Sequence, residues 1–324
     1  MAELDEALRV EASGVGLLPE LRVWRALAAE VARGRPAVLV AVVSHTRSSP
    51  GRTGWLMAVG SGGWLAGTTG GGAAEEQAIQ EATVLLVEVE PKHRLLTQTH
   101  RTGSEHASGL LCGGEQVLAL VPLAPSCADR LTVLDRALTR GDTGTWTISP
   151  DGLRLGGTSI GFTEDGDGWS FTQVSGPTHH VVVVGAGHVG EALARTLVPL
   201  GFRVSVVDER PGAAARLADL AHDVVEQRYE QLAAVVPVGE RTLVAIATHA
   251  PDRDAAAVAA LADVPLGYLG VLGSRAKLAI LTPQAQIRAP MGLPIGSHTP
   301  EEIAVSVAAE LVALRTQRGA TPVS

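Results

Sequence analysis

The stretch 181–210, VVVVGAGHVGEALARTLVPLGFRVSVVDER, places three glycines at G-x-G-x-x-G spacing between an apolar run and a helical pattern, with an acid closing a second apolar run. That order suits binding of a nucleotide-type, phosphate-bearing cofactor. Gly185 permits a tight turn out of a strand, Gly187 lets backbone approach a pyrophosphate, and Gly190 lets the following helix pack closely on the sheet. The helix start contributes unpaired N–H donors and the positive end of its dipole, and His188 stands within it. Asp208, just after Val204–Val207, is placed to accept hydrogen bonds from a ribose.

Three further groups of residues could carry chemistry. In RSSPGRTGWLMAVGSGGWLAGTTGGGAAEE, residues 47–76, Gly70, Gly71 and Gly72 stand directly before a helical pattern that opens with Glu75 and Glu76. Such a run can form a nest of N–H groups for an anion, with Arg47 and Arg52 adding charge-assisted contacts; a glycine-rich hairpin with solvated arginines is the other reading. In LLCGGE, residues 110–115, Cys112 is either a small buried hydrophobe or a reactive, sulfur-handling thiol. Cys127 reads as a bystander, and no C-x-x-C spacing supports a structural zinc site. After later strands come ATHAPDRD, with His249, Asp252 and Asp254, and YLGVLGSRAK, with Ser274, Arg275 and Lys277. Strand C-terminal ends face the ligand crevice of an open α/β sheet, so both groups are candidates for cofactor contact. His188, His249 and Asp254 are weak metal candidates, and helix capping explains the same residues without a ligand. No His–Asp or Tyr–Lys pair at a dehydrogenase spacing follows the glycine turn, so binding is better supported than turnover.

The elements that must position these groups alternate. Helical spacing at 20–34 feeds a strand at 37–43; short strands follow at 55–59, 94–98 and 116–121, with a helix at 73–89 between them. Residues 122–178 are rich in turn signals and hold a helix at 128–139 and β segments near 144–148 and 169–174. From His179 the pattern is doubly wound, with strands at 242–247 and 267–271, a helix at 253–261, and a last helix from Pro300 to about Arg315 introduced by Thr299. The expected division is 1–122, a connector or appendage at 123–178, and a Rossmann-like domain at 179–324. The fold class is α/β, a C-terminal doubly wound parallel sheet with a separate N-terminal α/β domain. A chain of 324 residues with net charge −8 and only two tyrosines and three phenylalanines argues against a nucleic-acid groove. Neither a charged-then-apolar leader nor a long apolar span opens the chain, so a soluble cytoplasmic protein without membrane contact is expected.

Taken together, SSPGRTGWLMAV, GTTGGGAAEE, CGG, VVVVGAGHVG, VVDER, ATH, YLGVLGSRAK and GLPIGSHTPEEIAVSVAAEL resemble the XdhC/CoxI family, accessory proteins of molybdenum hydroxylases such as xanthine dehydrogenase. The resemblance spans most of the chain. It implies a non-catalytic chaperone, a homodimer that binds molybdenum cofactor, as molybdopterin or its cytosine dinucleotide form, protects the sulfurated species and hands it to a hydroxylase apoenzyme. A cysteine desulfurase is a further candidate partner. The resemblance points to Gly70, Gly71, Gly72, Glu75 and Cys112 in the first domain, and to Gly185, Gly187, His188, Gly190, Asp208, His249, Ser274, Arg275 and Lys277 in the second. Two positions depart from the family pattern: Ala250-Pro251 follows the Thr-His pair, and Pro50-Gly51-Arg52 displaces an arginine by one residue. An NAD(P)-dependent oxidoreductase is the alternative reading.

Overall fold

The computed structural model describes residues 19–46, 48–99, 114–166, 168–273 and 287–319, with side chains through Arg315 in the last segment. The chain forms two compact units, residues 18–176 and 177–324.

The first unit is built on five antiparallel strands, β1 at Ala37–His45, β2 at Leu56–Gly60, β3 at Gly63–Gly67, β4 at Arg94–Thr99 and β5 at Glu115–Leu123, which form one sheet in the order β3-β2-β1-β5-β4. Helices α1 (Pro19–Ala32) and α2 (Gly72–Val87) pack on it. Val38, Val40 and Val42 join Ala78, Ala82 and Leu85 of α2 in one core, while Leu39, Ala41 and Val43 are equally buried on the opposite side of the strand. Coverage of both faces explains why β1 reads as an unbroken apolar run rather than an alternation. Helix α3 (Ala128–Thr139) leads into a second antiparallel sheet made of β6 (Gly144–Ser149), β7 (Gly152–Leu155), β8 (Gly161–Asp165) and β9 (Gly168–Ser175), in the order β7-β6-β9-β8. Trp146 of β6 meets Trp24 of α1 edge-on at 5.2 Å and Phe171 of β9 at 5.8 Å. A polar chain runs alongside: Trp146 Nε1 donates to Ser175 Oγ at 2.7 Å, and Ser175 Oγ donates to Glu20 at 2.6 Å.

The second unit carries a wholly parallel sheet of six strands, β10 (His180–Val184), β11 (Arg203–Asp208), β12 (Asp223–Glu226), β13 (Gly239–Ile246), β14 (Leu266–Val271) and β15 (Ile287–Arg288), in the order β12-β11-β10-β13-β14-β15. Its helices are α4 (His188–Leu197), α5 (Pro251–Leu261) and α6 (Pro300–Gly319). The order is that of the doubly wound dinucleotide fold, so the crevice opens where β10 and β13 part. Val181 and Val183 face α4 and α6, whereas Val182 and Val184 face α5. Helix α6 begins as its sequence predicts: Thr299 Oγ1 accepts from Glu302 N at 3.2 Å, and the Glu302 carboxylate accepts from Thr299 N at 3.1 Å. Buried Glu310 then fastens α6 to the sheet edge, accepting from Tyr268 Oη, Arg288 Nε and Gly292 N at 2.6–2.7 Å. Among the described residues no helix is long and apolar enough to cross a membrane.

Candidate functional site

The glycine turn after β10 keeps each of its three glycines for a different reason. Gly185 has φ 111°, and a Cβ there would stand 2.5 Å from Ala247 O, so the turn lies hard against the end of β13. At Gly190 a Cβ would fall 1.9 Å from Gly185 O, which is how α4 seats on the turn. Gly187 differs, because its φ of −82° suits any residue and, its chain neighbours aside, no atom of the described residues lies within 4 Å of where its Cβ would be. The open side of Gly187 is therefore room that none of the described residues fills. Gly187 caps α4, and no side chain among the described residues caps the helix in its place, leaving first-turn N–H groups directed at that room. Arg216 Nη2 donates to Ala186 O at 3.2 Å and brings a guanidinium to the turn.

Asp208 closes β11 in the expected position but with its oxygens already taken. Ala186 N donates to Oδ2 at 2.7 Å, Arg210 N to Oδ1 at 2.9 Å, and the Arg210 guanidinium grips both oxygens at 2.9 and 2.7 Å. Burial pushes the carboxyl pKa up. The Arg210 hydrogen bond, the two amides and the arginine charge outweigh burial and hold the group below its ordinary value. His188 and His249 are exposed at the ends of neighbouring strands. Asp254 is buried and accepts from Thr248 Oγ1 at 2.5 Å. No group of three or more His, Cys, Asp or Glu among the described residues is arranged to hold a metal ion.

In the first unit the glycine run also forms a nest, with φ of 130°, 78° and 65° at Gly70, Gly71 and Gly72. Its donors meet a carboxylate of the chain itself: Glu75 Oε2 accepts from Thr68 Oγ1 at 2.5 Å, Thr69 N at 2.8 Å and Gly71 N at 3.3 Å. Gly70 N donates to Thr68 Oγ1 at 3.1 Å. Beneath the turn lies a buried amide relay. Gly51 N donates to Gln116 Oε1, Gln116 Nε2 donates to Gln98 Oε1 and Thr69 O, and Gln98 Nε2 donates to Ala74 O and Gln77 Oε1, all at 2.7–3.3 Å. Thr69 Oγ1, buried beside the nest, has no hydrogen-bond partner among the described residues. Arg52, which is exposed, donates through Nη1 to Ser49 O and Gly51 O.

Residues 30–97 match the XdhC and CoxI family, and residues 181–311 match the XdhC Rossmann domain. The chain belongs to the XdhC and CoxI family. It is 26% identical to the protein YqeB of Escherichia coli (strain K12) over 296 residues, 86% of this chain and 44% of that protein. Over 150 residues it is 32% identical to a probable xanthine dehydrogenase subunit of Bacillus subtilis (strain 168), covering 45% of this chain and 46% of that one. The chain thus spans less than half the length of these curated relatives. A crystal structure of a xanthine dehydrogenase from Bacillus halodurans shares the fold, with a TM-score of 0.72 at 22% identity, covering 91% of this chain and 97% of that one.

Within this family frame, Gly70, Gly71, Gly72 and Glu75 come together at one turn, and Gly185, Gly187, His188, Gly190, Asp208 and His249 gather at the crevice of the other unit. Cys112, Ser274, Arg275 and Lys277 lie outside the described residues, as does Arg47. Three contributors escape a reading of the sequence. Arg210 was detectable, since an arginine two residues beyond the ribose acid can reach it. Arg216 and the Gln98–Gln116 pair carry no local signal.

Proposed function

We propose that this protein is an accessory factor of a molybdenum hydroxylase of the xanthine dehydrogenase type, binding molybdenum cofactor and delivering it to the apoenzyme. Membership of the XdhC and CoxI family and the relative named as a xanthine dehydrogenase component support the hydroxylase connection. The observation that carries the binding half is Gly187, whose empty side faces first-turn N–H donors next to Arg216. Those groups fit the phosphate of a pterin cofactor, in its simple or cytosine dinucleotide form. When bound, the cofactor supplies the redox metal and its sulfur. This chain's own residues hold its phosphate, and their task is shielding and release. A carrier needs a favourable transfer equilibrium rather than complementarity to a transition state, and a crevice in which the described residues form no acid–base pair suits the role. The proposal extends to a cytoplasmic homodimer that meets a cysteine desulfurase for sulfuration, both on family resemblance.

The test is to denature the natively purified protein and identify what it releases by mass, together with the fluorescent oxidation product of molybdopterin. A released pterin, and activation of a hydroxylase apoenzyme by the loaded protein, are expected. Protein that carries no pterin and activates no hydroxylase, yet turns over a nicotinamide dinucleotide, would replace this reading with the NAD(P)-dependent oxidoreductase.

A further inference from the structure

Asp208 stands where this fold ordinarily turns a carboxylate toward the hydroxyls of a ribose. A carboxylate offers about four lone-pair positions. Ala186 N, Arg210 N, Arg210 Nε and Arg210 Nη2 take one each, and the residue is fully buried, so no acceptor is left for a sugar diol. The group that meets solvent in its place is Arg210, whose side chain is 46% exposed. Of the five N–H donors of a guanidinium, two are engaged by Asp208, and the described residues leave the other three for a ligand. The nearby acids do not cancel this charge unopposed: Glu209 pairs with Arg253 at 3.3 Å, and Glu226 accepts from Gly212 N at 3.1 Å.

We infer that this crevice selects a ligand presenting a phosphate monoester to Arg210 and rejects one presenting an unmodified ribose diol. A diol brought to Asp208 finds that carboxylate already occupied and meets the Arg210 donors instead. A phosphate meets a planar cation already held in place by Asp208, the arrangement in which arginine grips oxyanions most specifically. The inference rests on only one part of the proposed function, that the glycine turn holds a phosphate-bearing ligand, and not on molybdenum. The 2′-phosphate of a dinucleotide whose pyrophosphate lies on the glycine turn is such a monoester.

NADP+ and NAD+ differ only in the deciding group. Full-length protein from cells unable to make molybdenum cofactor, titrated with each by calorimetry, should bind NADP+ at least tenfold more tightly. Arg210→Ala frees one lone pair on each oxygen of Asp208, so the order should reverse, NADP+ weakening at least tenfold while NAD+ gains. Arg210→Gln, which keeps an amide donor for the carboxylate in case the alanine variant does not fold, should bring the two affinities together. A merely structural role for Arg210 would weaken both ligands alike. Equal affinities in the unaltered protein, no binding of either at millimolar concentration, or a preference for NADP+ that survives in a folded variant would overturn the inference. The molecule released on denaturing protein from cofactor-producing cells names the source. A released 2′-phosphorylated dinucleotide upholds the selector, and released NAD or pterin cytosine dinucleotide, each with an unmodified ribose diol, sinks it. Absence of a pterin would defeat the molybdenum reading while leaving the NADP+/NAD+ ratio intact.

Discussion

Replacing Gly187 with alanine should leave the second unit folded and remove its phosphate binding, whereas the same change at Gly190, three residues away, should unfold it. The contrast follows from what each added methyl meets. At Gly187 the φ of −82° is open to alanine and, beyond its chain neighbours, none of the described residues lies within 4 Å, so they impose no strain. Alanine is a poorer N-cap than glycine by roughly 0.5–1 kcal/mol. The stiffer unfolded chain returns about 0.4–1 kcal/mol, so stability should hold within about 1 kcal/mol, a melting shift of no more than roughly 4 °C. At Gly190 the methyl carbon would sit 1.9 Å from the Gly185 carbonyl oxygen, a backbone atom of the turn that cannot rotate away. Forcing α4 off the sheet should cost about 3 kcal/mol or more. Thermal unfolding of both variants, paired with NADP+ titration and measurement of retained pterin, separates folding from binding. A Gly187→Ala protein that binds like the unaltered chain would show that the open side of the turn is not a ligand site. One that melts as low as Gly190→Ala would show that the turn tolerates no side chain at all.

Gln116→Leu should destabilise the first unit by about 2–4 kcal/mol in urea unfolding, because Gly51 N, Thr69 O and Gln98 Oε1 would lose their buried partner together; a loss below about 1 kcal/mol would mean that water replaces the amide. Glu75→Ala should cost about 1–2 kcal/mol through loss of the carboxylate that accepts three donors at the start of α2, read as a lower urea midpoint at constant slope. An unchanged midpoint would argue that the nest closes without it. The second unit should lose stability as pH falls. Burial, then the neighbouring Arg203, depresses His180 from 6.5 to about 4, with Asp223 opposing and His222 adding to the effect. The unfolded chain therefore takes up a proton below pH 6.5 that the folded chain refuses until about pH 4, so stability is full above that window and drains through it, with a slope approaching about 1.4 kcal/mol per pH unit. His180→Asn should flatten the curve, apart from the smaller contribution of His222, whose pKa is also lowered by burial. A variant with the original slope would refute the assignment.

What the sequence determined alone was local. The turn from Gly185 to Gly190, the Thr299–Glu302 cap and the helix over Ala128–Thr139 were legible because a cap or tight turn is decided by residues within about one helical turn of each other. Strands β3, β7, β8, β12 and β15 were not, since each is short and several are bounded by glycine, and their order in a sheet depends on partners far along the chain. The tertiary structure alone decided what became of the polar groups. Asp208 was readable as an acid at a strand end, but whether its lone pairs face a ribose depends on where Arg210 and Ala186 come to rest. Glu75 was readable as an acid suited to a helix start, but only the folded loop puts its carboxylate into the N–H nest that an outside anion would have used. Trp24 reaches Trp146, and Gln98 meets Gln116, through packing that no spacing in the chain encodes. The residue types set which bonds can form, and the fold sets which of them are already made, because saturation of a donor or acceptor is a property of its neighbours in space.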